Sequence, residues 1–183
     1  GSIFIAGREV TKLTTVQRSS MVARVFQDVM IGTFPSLTIE ENMSLAVARG
    51  KTRAWKLGIN RQLKGKFQES LKELGMGLED RLTEQVANLS GGQRQALSLI
   101  MATLQDAKIL LLDEHTAALD PKTGNLIMKI TDKIVRKYKL TTLMVTHSMK
   151  QALQYGSRII MLQQGKIAKD IITEKYGLLT ADD

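Results

Sequence analysis

Along this chain, short apolar runs alternate with longer segments that contain both apolar and polar residues. The apolar runs predict strands at 3–5, 22–26, 108–112, 141–146, 158–162 and 166–171. The segments between them predict helices at 38–48, 61–74, 92–104, 121–138 and 148–154. Two helices carry clear signals: Thr38 with Glu41 forms a capping box, and apolar residues in 61–74 recur at helical spacing before Gly75. The last two strands flank Gln163-Gln164-Gly165 and predict a hairpin.

This order of elements predicts the fold class. Strand, helix, strand and helix follow one another after residue 104, and the strands are apolar throughout, which indicates an α/β layer with a buried parallel sheet. The middle of the chain is mainly helical. We therefore expect a core made of 1–37 and 104–183, with 38–103 inserted as a helical subdomain.

Composition narrows the class of protein. The 183 residues are 43% apolar and 24% charged and include no cysteine, which excludes disulfides and cysteine-bound zinc and fits the cytosol. No apolar run approaches the ~20 residues of a membrane span. The net charge of +8 permits an anionic partner. Part of it comes from a stretch without acids: Arg49, Lys51, Arg53, Lys56, Arg61, Lys64 and Lys66. This stretch predicts a solvated helix face, with a surface near anionic lipid or an acidic partner as the alternative.

The segment Leu89-Ser90-Gly91-Gly92-Gln93 is the strongest local signal. Ser90 is a candidate N-cap, and two glycines let the backbone approach a phosphate closely. The helix that follows points its positive end at that anion. A lone Ser-Gly-Gly is usually just a helix start, but the whole pentapeptide followed by Arg94-Gln95 is far rarer by chance.

A second signal is the apolar strand that ends in Asp113 and Glu114. One carboxylate at a strand end can hold Mg²⁺, and the next can act as general base on an attacking water. Alone, two acids at this point are about as often a solvated strand exit. His147 after the strand at 141–146, and Gln27 after the strand at 22–26, would each pass for ordinary turn residues.

The order and spacing of these residues resemble the ATP-binding cassette (ABC) family over essentially the whole chain. The resemblance implies a P-loop NTPase-like fold and an ATPase that uses ATP and Mg²⁺. It implies that Gln27 is the glutamine that senses Mg²⁺ and the attacking water. It also implies that Asp113 holds the Mg²⁺, that Glu114 is the catalytic base, and that His147 contacts the γ-phosphate.

The same resemblance implies a dimer that closes head to tail on two nucleotides. Ser90, Gly91, Gly92 and Gln93 match the signature segment, which in this family binds ATP held by the partner subunit. Ala118, Leu119 and Asp120 match the D-loop, which bridges the two sites. The partner is a second copy or a paired cassette.

One family motif has no match in this sequence. The phosphate-binding loop reads Gly-x-x-x-x-Gly-Lys-Ser/Thr. Gly50-Lys51-Thr52 imitates its end, but Leu45 stands where the first glycine is required. The chain begins Gly1-Ser2, so we expect that the N-terminal part is truncated and that residues 1–183 alone bind MgATP very weakly. A non-catalytic regulatory subunit is the alternative.

The run from Glu114 to Thr123 resembles a subgroup of bacterial importer ATPases, some of them associated with tryptophan or tyrosine. Its His115 stands where the commoner family text has proline. The subgroup implies a peripheral protein at the cytoplasmic face of the membrane that contacts an integral permease and, indirectly, an extracytoplasmic solute-binding protein. We expect amino-acid import and no nucleic acid. The alternative is a cassette ATPase acting on ribosomes or nucleic acid.

Overall fold

A computed structural model describes residues 1–50 and 61–173 of the chain. They fall into two compact units, Gly1–Met144 and Val145–Asp183, of which the second is described as far as residue 173. The predicted division into a core and a helical subdomain at 38–103 stays a prediction.

The strands of the described residues are β1 (Phe4–Ile5), β2 (Arg8–Glu9), β3 (Val22–Val25), β4 (Ile109–Asp113), β5 (Thr141–Val145), β6 (Arg158–Gln163) and β7 (Lys166–Ile172). The helices are α1 (Thr15–Arg18), α2 (Ile39–Val47), α3 (Arg61–Lys72), α4 (Gly91–Thr103), α5 (Pro121–Tyr138) and α6 (Met149–Tyr155). Two short 3-10 helices lie at Leu78–Asp80 and Val86–Asn88.

The central sheet has the order β3-β4-β5. Strands β3 and β4 run parallel, with Val22 beside Ile109 and Val25 beside Leu112. Parallel strands end at the same edge of a sheet, so the residues that follow β3 and β4 emerge side by side. In open α/β folds ligands bind at this carboxyl edge.

One apolar cluster holds the sheet to the helices. Ala23, Val25, Leu110 and Leu112 give the buried face of β3 and β4. Helices α2 to α5 cover it with fully buried side chains, among them Ile39, Met43, Phe67, Leu71, Leu97, Leu99, Ile127 and Ile134. The signature helix α4 therefore belongs to the same packed unit as the strand that carries Asp113.

The α/β fold class with a parallel sheet is confirmed, but the expected burial of that sheet is incomplete at β5. Leu143 is 58% exposed, while its neighbours Thr142 and Met144 are half-buried. An apolar composition does not by itself cover both faces of a strand. Two elements near the start were also missed, the four-residue helix α1 and the strand β2, since each is too short to show a period.

The predicted caps and turns are confirmed. The Thr38 hydroxyl accepts from the backbone N–H of Glu41 at 3.3 Å, and the Glu41 carboxylate accepts from the Thr38 N–H at 2.7 Å. In the second unit β6 and β7 form the antiparallel hairpin, with Gln164 and Gly165 at positive φ in its turn.

The basic stretch is only partly a solvated face. Arg61 and Lys66 are exposed, whereas Arg49 is half-buried and donates to the Ala102 carbonyl oxygen at 3.4 Å. Burial lowers the pKa of Arg49. Three further basic residues lie outside the described residues: Lys51, Arg53 and Lys56. Of the segment 50–52, which resembles the end of a phosphate-binding loop, only Gly50 is described. Across residues 1–50 and 61–173, no helix is both long and apolar enough to cross a bilayer.

Candidate active site

The tip of β4 presents a carboxylate that is already paired. Asp113 is the last residue of the strand, and its Oδ2 lies 2.6 Å from Nη2 of Arg24 on β3. Both side chains are partly exposed. The Arg24 guanidinium also lies over the ring of Phe26, 4.5 Å from its centroid. The edge of the sheet thus combines an accessible carboxylate with a positive charge.

Glu114 begins a tight turn directly after Asp113. Its φ of 44° lies in the left-handed region, which is uncommon for a residue with a side chain. Its carbonyl oxygen accepts from the N–H of Ala117 at 2.9 Å, which closes the turn 114–117. The carboxylate of Glu114 is therefore carried by a constrained backbone segment.

His115 anchors this turn to helix α5. The residue is 2% exposed, and its Nε2 lies 3.0 Å from the Thr131 hydroxyl oxygen. Thr131 donates its only hydroxyl hydrogen to the Ile127 carbonyl at 2.8 Å, so it accepts from a protonated Nε2. Burial lowers the pKa of His115 from 6.5 to about 4, which keeps the ring neutral at pH 7.

The signature segment forms the start of α4 as predicted. Exposed Ser90 is the N-cap: its hydroxyl accepts from the Gln93 N–H at 3.2 Å, and the Gln93 side chain accepts from the Ser90 N–H at 3.1 Å. The next amides, on Gly91 and Gly92, have no partner within a helix. This end of α4 can therefore receive an anion.

The signature segment lies against the D-loop within the same chain. A Cβ added to Gly91 would be 3.6 Å from Cδ2 of Leu119, an ordinary contact. A Cβ on Gly92 would come within 2.4 Å of Cγ2 of Thr123, so a larger residue here would have to displace Thr123.

Asp120 ends the D-loop by capping α5. Its carboxylate accepts from the Thr123 N–H at 3.0 Å. The hydrogen bonds to Thr123 lower the pKa of Asp120. Ala118 is exposed and Leu119 is half-buried, so the D-loop reaches the surface beside the signature segment.

Gln27 follows β3 and is exposed at the start of a turn. The Asp28 carboxylate accepts from the Met30 N–H at 2.8 Å within this turn. Fully buried Gln95 of α4 donates from Nε2 to the carbonyl oxygen of Phe26 at 3.2 Å. The segment that carries Gln27 is thus tied to the signature helix.

His147 belongs to the second compact unit, which begins at Val145. It is exposed between β5 and α6. Ser148 caps α6 by accepting from the Gln151 N–H at 3.3 Å, and the Ser148 N–H donates to the Thr146 hydroxyl at 3.1 Å. The prediction that His147 contacts a γ-phosphate stays a prediction.

The residues at the β4 tip fit a magnesium ion that is held mainly by a nucleotide. Among the described residues, no group of three or more His, Cys, Asp or Glu side chains could form a metal centre. Mg²⁺ in nucleotide sites takes one or two carboxylates and completes its shell with phosphate oxygens and water. The half-exposed carboxylate of Asp113 suits that role, with Glu114 beside it.

Arg24 was missed by the sequence analysis, and Gln95 was noted there only as part of the signature run. Arg24 is a lone charge in an apolar strand, between buried Ala23 and Val25, and strand alternation could have assigned it to the opposite face. Gln95 directly follows Gln93 and Arg94 in the polar first half of α4, so the local sequence does not show that it is buried.

The comparisons with known proteins agree with one another. The family profile described as ABC transporter matches residues 1–117. A tyrosine transport ATP-binding protein of Clostridioides difficile is 46% identical over 100% of this chain and 72% of its own length. The spermidine/putrescine import ATP-binding protein PotA of Haemophilus ducreyi is 34% identical over 93% of this chain and 43% of its own length.

A solved structure shows the same fold. It is the dimeric, post-hydrolysis state of the ATP-binding cassette MJ0796 bound to ADP and Pi, with a TM-score of 0.75 and 28% identity. The match covers 94% of this chain and 73% of that one.

Proposed function

The chain belongs to the ABC transporter family, whose ATP-binding proteins are ATPases, and we propose that it powers import of an amino acid or similar small solute. The ATPase proposal is carried by one observation: strand β4 ends at Asp113, and Glu114 follows it, so two adjacent carboxylates lie at the carboxyl edge of the parallel sheet. Phosphoryl transfer to water needs a metal ligand and a base at such a place.

The proposed chemistry assigns one task to each side chain. MgATP, when bound, supplies the phosphoryl group and the metal. Asp113 holds the Mg²⁺, with Gln27 as a second oxygen ligand. Glu114 takes a proton from the attacking water, and His147 contacts the γ-phosphate.

We propose that nucleotide is clamped between two copies of the protein or between paired cassettes. Ser90 to Gln93 of one chain would bind the phosphates of nucleotide held beside Asp113 and Glu114 of the other. Exposure of Ser90 at a helix N-terminus supports this, as does the dimeric state of the related cassette bound to ADP and Pi. Ala118 to Asp120 would bridge the two sites, and 38–103 would form the helical subdomain that carries the signature segment.

The proposed membrane partner is a permease. Directly after Gln27, three large apolar side chains are exposed: Met30 by 45%, Ile31 by 64% and Phe34 by 58%. Large apolar side chains exposed together on a protein surface mark a contact with another protein. It supports a peripheral location at the cytoplasmic face of the membrane, with an extracytoplasmic solute-binding protein as indirect partner. The 46% identical tyrosine transport relative supports an aromatic amino acid as cargo.

The test of the ATPase proposal is Glu114→Gln in the full-length protein. The change keeps the shape of the side chain and removes its basicity. We expect hydrolysis to fall by at least about a hundredfold while ATP still drives dimer closure, seen as a shift to the dimer on gel filtration. An unchanged rate of hydrolysis would remove Glu114 from the role of base.

Residues 1–183 by themselves should bind MgATP very weakly, because the sequence lacks the loop that grips the phosphates. Calorimetry with this segment alone checks the proposal, and micromolar affinity would refute it.

The competing activity on ribosomes or nucleic acid has the net charge of +8 in its favour. Affinity purification of the full-length protein from detergent-solubilised membranes separates the two. A co-purifying integral membrane protein supports transport, and co-purifying ribosomes would support the alternative.

A further inference from the structure

His115 follows the proposed base Glu114 and contacts helix α5. It stands where proline is more common in the family. His115 is buried, in contrast to Asp113 two residues earlier, whose carboxylate is partly exposed. Its Nε2 forms a hydrogen bond with the Thr131 hydroxyl of α5, 3.0 Å away. The residue is therefore placed to hold structure, not to contact a nucleotide.

The bond connects a strained segment to a rigid one. Glu114 has the uncommon φ of 44°, and such a conformation persists only where the surroundings enforce it. Helix α5 is fixed in the core by Ile127 and Ile134, both fully buried. Thr131 projects from the same face of α5, 3% exposed, and is itself bonded to the Ile127 carbonyl.

We propose that His115 is a positioning residue for Glu114, holding the turn 114–117 against α5 through Thr131 so that the carboxylate keeps its orientation for hydrolysis. This inference rests on the proposed role of Glu114 as base. Proline at this position would restrict the backbone of the turn through its ring. His115 restricts the turn through its hydrogen bond to Thr131.

The test compares Thr131→Val with Thr131→Ser in the full-length protein. Valine has nearly the shape of threonine but no hydroxyl, whereas serine keeps the acceptor for Nε2. Because a small displacement of a catalytic group costs up to about a hundredfold in rate, we expect kcat of Thr131→Val to fall about tenfold with the KM for ATP unchanged. Thr131→Ser should stay near wild type. Equal kcat values for wild type and a folded Thr131→Val would overturn the proposal.

A second pair guards against loss of folding. His115→Gln keeps an N–H donor that can reach Thr131, and His115→Leu has none. Rates are measured in single turnovers and normalised to nucleotide-bound sites, so that unfolded protein does not count. We expect a higher single-turnover rate constant for His115→Gln than for His115→Leu, and equal values would contradict the positioning role.

The Glu114→Gln background separates this inference from the proposed function. If His115 and Thr131 act through Glu114, Thr131→Val should not lower the residual rate of Glu114→Gln further. A further tenfold fall there would overturn action through Glu114. A wild-type rate for Glu114→Gln alone would overturn the proposed function as well, whereas an inactive Glu114→Gln with a normal Thr131→Val would overturn only the positioning.

Discussion

Arg24 on β3 and Asp113 at the end of β4 form an ion pair at 2.6 Å, although 89 residues separate them in sequence. The pair exists because the parallel register aligns Arg24 with Leu111, on the same side of the sheet as Asp113. The carboxylate proposed to hold Mg²⁺ thus already has a positive neighbour.

Removing that neighbour should strengthen magnesium binding. Arg24→Gln takes away a charge that competes with Mg²⁺ for Asp113. Because the pair is partly exposed and worth at most about 1 kcal/mol, we expect the free Mg²⁺ concentration for half-maximal hydrolysis to fall by no more than about fivefold. Arg24→Lys keeps the charge and is the control. A rise in the required Mg²⁺ would show that Arg24 assists the metal ligand instead.

The close approach of α4 to α5 makes the two signature glycines unequal. Gly92→Ala would drive a methyl group against Thr123, and we expect the free energy of unfolding to fall by about 1–3 kcal/mol. Gly91→Ala has room beside Leu119 and should be neutral or slightly stabilising. Chemical denaturation of both variants checks this.

Thr123→Ser supplies the matched rescue, because it removes the Cγ2 atom that blocks the new methyl group. The double variant Gly92→Ala with Thr123→Ser should recover most of the lost stability. No recovery would mean that the destabilisation has another source.

His115 should make stability depend on pH in a defined window. Its pKa is about 4 in the folded chain and near 6.5 when unfolded. As pH falls from 6.5 to 4, the unfolded chain therefore binds a proton that the folded chain does not. The folded state should lose up to about 3 kcal/mol across this window, with no contribution from His115 above pH 6.5.

Denaturant unfolding of wild type and His115→Gln between pH 4 and 8 measures how much His115 contributes to the pH dependence of the free energy of unfolding. The wild-type free energy of unfolding should drop more steeply with acid than that of the variant. Parallel curves would contradict the buried, neutral imidazole.

Much of the fold follows from local signals. Helix α5 occupies 121–138 as predicted, since Asp120 caps it, Pro121 opens it and Lys139 ends it in the left-handed conformation. The start of α4 at Ser90 follows from its capping box in the same way. Each of these boundaries is decided by side chains within a few residues, which a sequence displays directly.

The features that sequence could not supply depend on long-range register. The contacts of Asp113 with Arg24, of Gln95 with the Phe26 carbonyl and of His115 with Thr131 join separate elements. The exposure of Leu143 likewise depends on which neighbours cover β5. Apolar composition indicates a strand but does not say how its two faces are covered.

The most direct test of the account is to place Ser90→Arg and Glu114→Gln in the two chains of one dimer in both possible ways. Head-to-tail clamping predicts that Ser90→Arg in one chain and Glu114→Gln in the other leave one intact site and up to about half of the wild-type hydrolysis rate. Both changes in one chain, paired with a wild-type chain, should destroy both sites. The reverse result, with activity retained only when both changes share a chain, would contradict a nucleotide bound between two subunits.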